Sequence, residues 1–331
     1  MPLTCPWCSA LRDSGSICPH CGADYAKAAA IKAHGRAAPI QTDSAQSSAA
    51  RTSEALLQVL IEEPGDVQTV DDAQLELKFC IGAIPLALLC AMLFQASGLG
   101  AMLQRVFLTM PVHELGHAVS AWFCGFTAIP TLWKTLIPDT RGFIAPVILA
   151  GAIGYWMYRS WQARNQLSLY ACAGLLLIQV VGTFIIKLDT AHMLFTFGGD
   201  GMGMVLATLL MASFFFGKET QLYKGSLRWG FLVIGAAAFV DIYATWWRSR
   251  KDESTIPYGT TGGMATDAMK LVDDYGWTLQ TLVSRYVTLG LVCLLALALV
   301  YAWGVRRAKS SCDERQQVQK RQAWTQRRAG K

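Results

Sequence analysis

Apolar and polar residues fall along this chain in long blocks rather than at strand or helix-face spacing. From Phe79 onward, apolar runs follow one another at about 79–97, 101–123, 142–158, 168–186, 200–216, 226–247 and 284–304. Each is close to the ~20 residues that an α-helix needs to cross about 30 Å of hydrocarbon. The pattern therefore predicts an all-α polytopic membrane protein with about six to seven membrane segments in 79–304 and a basic tail in 305–331. Two runs stand apart: 101–123 is the most polar, and 200–216 opens with an acid and several glycines. Either can enter the bilayer without crossing it, provided that its backbone is satisfied inside the protein.

The regions outside the runs have their own character. Residues 1–24 form a cysteine-rich module, and 25–78 read as a flexible linker and juxtamembrane segment. Within that segment 26–51 has no apolar periodicity, 54–61 can form a short helix, and 62–76 is acidic and contains Pro64 and Gly65. The longest polar break, 248–284, holds Pro257, Gly259, Gly262 and Gly263. It is expected to be an extramembrane loop with a short amphipathic piece near 264–275. No internal repeat is visible, and too few ionisable residues line the spans for an ion-conducting transporter.

Composition agrees with a membrane chain and excludes an ordinary soluble domain: 53% of the 331 residues are hydrophobic and 16% are charged. The net charge of +6 owes much to Arg306, Arg307, Lys309, Arg315, Lys320, Arg321, Arg327, Arg328 and Lys331 after the last span. Such a flank is a topology anchor on the cytoplasmic side. The charges are not interleaved with aromatics as a nucleic-acid surface would be, so no nucleic-acid partner is expected. No cleavable leader precedes the cysteines, which places both ends in the cytoplasm, in a bacterial cytoplasmic membrane. Seven crossings would separate the two ends, so one run is expected not to cross.

The candidate chemistry begins in the second run, where residues 113–117 read His-Glu-Leu-Gly-His. Histidines at i and i+4 share a helix face about one turn apart, so His113 and His117 can reach one zinc ion. Glu114 follows the first histidine and is placed to take a proton from water activated at the metal and give it to a leaving amine. Ionisable groups at the centre of a membrane helix cost about 2.5–3.5 kcal/mol each on insertion scales, which argues that they serve a purpose. His113 lies about 18 Å along its run at 1.5 Å per residue, predicting a site at mid-membrane.

The run continues Ala-Val-Ser-Ala-Trp-Phe-Cys-Gly, with small residues at Gly116, Ala121 and Gly125 that let a neighbouring helix approach closely. As a whole, HELGHAVSAWFCG resembles the HExGHxxxAxxxG signature of the site-2 protease family of intramembrane zinc metalloproteases. The stretch 142–151, with Pro146 and Gly151, more loosely resembles the span that follows in that family. The resemblance implies a membrane endopeptidase acting on protein substrates in or near their spans. It also implies a third zinc ligand from an aspartate beside glycine at the start of a later span. The matching position here is Asp200, in Phe-Gly-Gly-Asp-Gly-Met-Gly; His192 and Asp189, just upstream, are the alternatives. The chain lacks the family's leucine-aspartate-glycine wording and its asparagine-proline segment. Asp241 sits inside another apolar run and is expected either to line the same cavity or to bridge helices.

Cys5-Pro-Trp-Cys8 and Cys18-Pro-His-Cys21 have the spacing of a closed tetrahedral zinc site and resemble a zinc ribbon. So short a segment has too little core to fold alone, so metal would supply its stability, and its function would be to bind a protein partner. The sequence thus predicts two zinc ions, one structural and one catalytic, in an integral membrane peptidase whose partners are the bilayer and a membrane-protein or peptide substrate. The alternative is a scaffold or metal sensor that keeps the zinc site without turnover.

Overall fold

The computed structural model describes residues 16–18, 21, 24, 70–216, 226–261 and 263–329. The chain divides into an N-terminal unit, Met1–Val67, and a larger unit, Gln68–Lys331. In the first, Ile17 and Asp24 pair as an antiparallel bridge, with Cys18 buried and Cys21 exposed between them. Cys5 and Cys8 lie outside the described residues, as do the linker 26–51 and the short helix expected at 54–61.

The larger unit is helical, with elements α1 (Val70–Gln95), α2 (Gly98–Gln104), a π-helical turn (Arg105–Thr109) and α3 (Met110–Phe123). There follow a two-stranded hairpin of β1 (Ile129–Pro130) and β2 (Thr135–Leu136), then α4 (Ile144–Gln162), α5 (Gln166–Val180), α6 (Leu188–Ala212) and α7 (Leu227–Ser249). A second small hairpin, β3 (Thr260–Thr261) with β4 (Met264–Ala265), leads to α8 (Asp267–Asp273) and the long α9 (Leu279–Ala329). Both hairpins are antiparallel.

Among the described residues five helices are long and apolar enough to cross a membrane: α1, α5, α6, α7 and α9, with α5 and α6 extended by a further turn. Their outward faces carry large apolar side chains such as Leu86, Leu93, Ile178, Leu209, Val233 and Leu295, all more than half exposed. A soluble protein would not leave so much apolar surface in water, and the architecture is that of an all-α membrane protein. The helices built on 101–123 and 142–158 are present, but α2 and α3 are divided by the π turn, and neither they nor α4 join those five.

Several boundaries differ from the apolar-run reading for simple physical reasons. The first helix starts at Val70 rather than near 79, so that Asp71 and Asp72 sit in its first turn, where carboxylates oppose the helix dipole favourably. Glu76, expected in a surface connection, instead faces Arg228 of α7 in a two-pronged ion pair at 2.8 and 3.0 Å. The run expected from 200 begins at Leu188, which puts Asp200 in the middle of α6 rather than at its start. Four glycines near that point, Gly198, Gly199, Gly201 and Gly203, each weaken an isolated helix by about 1 kcal/mol and make it read as a break. They are tolerated because α6 is packed from several sides by α3, α7 and α9.

The packing of α3 on α6 is the closest in the molecule and is set by missing side chains. A Cβ on Gly116 would lie 2.5 Å from the carbonyl oxygen of Gly198 and 2.7 Å from that of Gly199. Gly125 does something else: its φ of +89° ends α3 in a conformation that favours glycine. Asp241 proves to be a helix bridge. Its Oδ1 accepts from Gln95 Nε2 at 3.0 Å and its Oδ2 from Arg105 Nη1 at 3.2 Å, joining α1, the π turn and α7.

Gly116→Ala is expected to force α3 and α6 apart and to lower stability by about 1–3 kcal/mol, the usual range for overpacking. Gly174→Ala, where a Cβ meets nothing within 4 Å, should instead hold stability or raise it by up to about 1 kcal/mol. Thermal unfolding of the two variants in the same detergent makes the comparison.

Candidate metal centre

His113 and His117 project from α3 with their rings edge to face, 4.7 Å between centroids. Each ring is tied down through Nδ1. That of His113 meets Asp200 Oδ1 at 2.8 Å, and that of His117 meets the backbone oxygen of Phe195 at 2.7 Å, both partners lying on α6. A carbonyl oxygen can only accept, so the His117 Nδ1 carries the proton; a carboxylate selects the same tautomer for His113. Both Nε2 lone pairs are then left pointing into one space, where the two nitrogens stand 3.2 Å apart.

A third oxygen occupies the same space. Asp267 Oδ2 lies 3.2 Å from His113 Nε2 and 3.0 Å from His117 Nε2. Tetrahedral zinc, with bonds of about 2.0–2.2 Å, separates neighbouring ligand atoms by about 3.3 Å. The observed separations match this within a few tenths of an ångström. His113, His117 and Asp267 could therefore hold a metal ion, with two imidazoles, one carboxylate and a fourth position open toward the cavity.

Asp267 is the first residue of α8, whose N-cap, Thr266, accepts from the Met269 amide. Burial pushes its carboxyl upward; with His117 and His113 protonated, as they can be when no metal lies between them, their charge and Nε2–H bonds would hold it below the usual carboxylate range. Lys270, one turn on, stands 3.8 Å from its other oxygen.

The structure thus brings His113 and His117 together as expected but corrects the place of Asp200. Asp200 touches the other nitrogen of His113, the one facing away from the shared space, and its Oδ2 accepts from the indole Nε1 of Trp246 at 2.8 Å. A carboxylate engaged by those two donors orients the His113 ring. The alternatives fare no better: His192 packs its ring against Phe126 and Phe195, and Asp189 is exposed in the first turn of α6. Asp267 was not among the candidates. It lies far along the chain in a polar segment whose other acids, Asp252, Glu253, Asp273 and Asp274, carry no mark to set them apart from it.

Glu114 is buried beside the metal-binding face. The hydroxyl of Thr135, on β2, lies 2.7 Å from its Oε2 and 2.8 Å from its backbone oxygen, and can donate to one of them at a time. All four side chains line a cavity of about 470 Å³, walled also by Trp133 and Ile137 near the first hairpin, Phe195 of α6 and Tyr286 of α9. Under the site, a Cβ on Gly199 would fall 2.6 Å from both His113 Cε1 and His117 Nε2, so the rings rest directly on the α6 backbone.

Two aromatic residues place the site along α7 and α9. Trp246 stacks on Tyr286 at 4.1 Å and reaches Asp200. It stands three residues from the end of α7, and Tyr286 seven residues into α9. At 1.5 Å per residue Trp246 and Tyr286 lie about 5–10 Å inside these helix ends, while on α6 the same level falls at mid-helix, at Asp200. The nearness of the α7 and α9 ends is why a residue of the connecting segment can reach the site.

Comparison of the chain with protein-family models, with curated proteins and with solved structures finds no match. The resemblance to site-2 proteases rests on the motif and its immediate sequence surroundings.

The two acids are expected to separate cleanly on metal analysis of purified protein. Asp267→Ala should carry one zinc fewer than wild type. Asp200→Asn should still fill the site at saturating zinc but bind about 10–100-fold more weakly, as loss of a group behind a ligand does.

Proposed function

We propose that the chain is a zinc-dependent membrane endopeptidase in which His113, His117 and Asp267 hold the metal and Glu114 is the general base and acid. What supports the reading above all is the convergence of two imidazole nitrogens and one carboxylate oxygen, at 3.0–3.2 Å from one another, in a cavity that Glu114 shares. A zinc ion bound there supplies a Lewis acid that polarises a carbonyl and lowers the pKa of water to about 7.

The remaining work falls to the chain. Asp200 and the Phe195 carbonyl keep the two imidazoles in one tautomer and orientation. Glu114 takes the proton of the attacking water and delivers it to the departing nitrogen. Thr135, by donating to the same carboxylate, holds Glu114 in place until substrate arrives. The apolar walls reduce competing water and strengthen each of these polar contacts.

The substrate is a peptide bond of another membrane protein. A bond inside a helix keeps its carbonyl in a backbone hydrogen bond. With the ends of α7 and α9 only one or two turns away, the site favours a bond near the end of a span, where the helix frays without exposing its backbone to lipid.

Glu114→Gln should retain zinc while cleavage of a model membrane substrate falls by at least about 10²–10⁴-fold, the usual scale of acid–base catalysis. Mass spectrometry of the products, with metal content measured on the same preparations, makes the test. Undiminished cleavage by the variant would contradict the reading.

A further inference from the structure

The helical run Gly98–Phe123 contains one wide turn, Arg105–Thr109, in which the Met110 amide reaches back five residues to the Arg105 carbonyl. Pro111 accounts for its position. A proline has no N–H to give, and its ring collides with the carbonyl four residues earlier, here that of Phe107; an extra residue in the turn relieves the collision. The consequence is a rotation. In an unbroken α-helix the eight residues from Arg105 to His113 would set the two about 80° apart around the axis. The added residue reduces this to about 20°, so Arg105 shares a face with the metal-binding histidines.

Arg105 accordingly lines the same cavity as His113, Glu114, His117 and Asp267. Its guanidinium lies within electrostatic reach of Asp200 and Asp267. Its side chain is 34% exposed, and its hydrogen bonding among the described residues runs through Nη1 to Asp241. Asp241 is buried and held from behind by Gln95, so the anchor is rigid. A guanidinium has five N–H donors in a fixed fork, and this anchor uses one. Lys270 also lines the cavity, but its ammonium is paired with Asp267.

We propose that Arg105 is a further catalytic residue, donating to the oxygen of the scissile carbonyl as negative charge builds on it. The role rests on the peptidase reading. In the step, a water oxygen bonds to the carbonyl carbon, its proton passes to Glu114, and the π pair moves onto the carbonyl oxygen facing Arg105. The pair then returns, the C–N bond breaks, and the leaving nitrogen takes the proton from Glu114. An anchored donor aimed at a developing oxyanion requires no reorganisation when the charge appears, which is where such donors act most strongly.

The test uses the full chain loaded with zinc, a model membrane peptide whose cleaved bond has been mapped with wild type, and the same peptide carrying a phosphinate at that bond. Arg105→Gln should lower kcat by about 10²–10³-fold, with KM within about threefold and zinc content unchanged. Affinity for the phosphinate peptide should fall by a similar factor, while affinity for the parent peptide, measured on the Glu114→Gln background, should not change. Arg105→Lys keeps the charge but not the fork and should recover part of the loss; it also serves as the deciding variant should Arg105→Gln fail to fold. Wild-type kcat and phosphinate affinity in the glutamine variant, or in the lysine variant where the first is unfolded, would overturn the role and leave the peptidase reading standing. A wild type that holds zinc yet cleaves no peptide would overturn that reading and this role together.

Discussion

Two imidazoles one helical turn apart cannot make a metal site unless something decides which nitrogen of each faces the ion. Here α6 decides. Asp200 and the Phe195 carbonyl take the Nδ1 protons, and the Nε2 lone pairs are left to converge on Asp267. Everything else in the fold serves that arrangement. The α3–α6 contact must be close enough for both Nδ1 bonds to form at once, and it is close because Gly116 meets Gly198 and Gly199 backbone to backbone. Trp246 donates to the far oxygen of Asp200 and is itself stacked on Tyr286, which holds the carboxylate on the Nδ1 side of His113.

Burying these polar groups in an apolar bundle is tolerable because they satisfy one another. Asp200 accepts from two N–H donors, Arg105 is neutralised by Asp241, and Arg228 by Glu76. An uncompensated charge in the same place would cost several kilocalories per mole. The site sits only a turn or two inside the ends of α7 and α9, which lowers that cost and lets Asp267, from the segment between them, reach the two histidines. On the proposed reading the third ligand, Asp267, is carried on a short helix outside the spans rather than built into a membrane helix. Its placement depends on how 250–278 folds as well as on the bundle.

What the sequence revealed follows from the range of each signal. His113, Glu114 and His117 are legible because their chemistry depends on a spacing of four residues, which any helix satisfies. The spans are legible as apolar runs, though their ends are not: Lys78 and Glu76 hide the start of α1, and the glycines around Asp200 make the middle of α6 resemble its beginning. Asp200 was found for a sound reason, and the structure places it on the Nδ1 side of His113 rather than between the rings. An acid among glycines in an apolar run does belong to the site, but only coordinates show which ring nitrogen it meets. Asp267 carries no local mark, since its contact with α3 spans more than a hundred residues of chain. The π turn had a local cause in Pro111, yet its effect, the turning of Arg105 toward the site, appears only in three dimensions.

The central claim concerns where the ion sits, and an anomalous difference map measured across the zinc absorption edge on zinc-loaded crystals tests it most directly. The account predicts a peak within about 2.0–2.2 Å of His113 Nε2, His117 Nε2 and Asp267 Oδ2, with Asp200 still on His113 Nδ1. A map without density between the two rings, or with a peak bonded to Asp200 and Asp267 turned away, would contradict it.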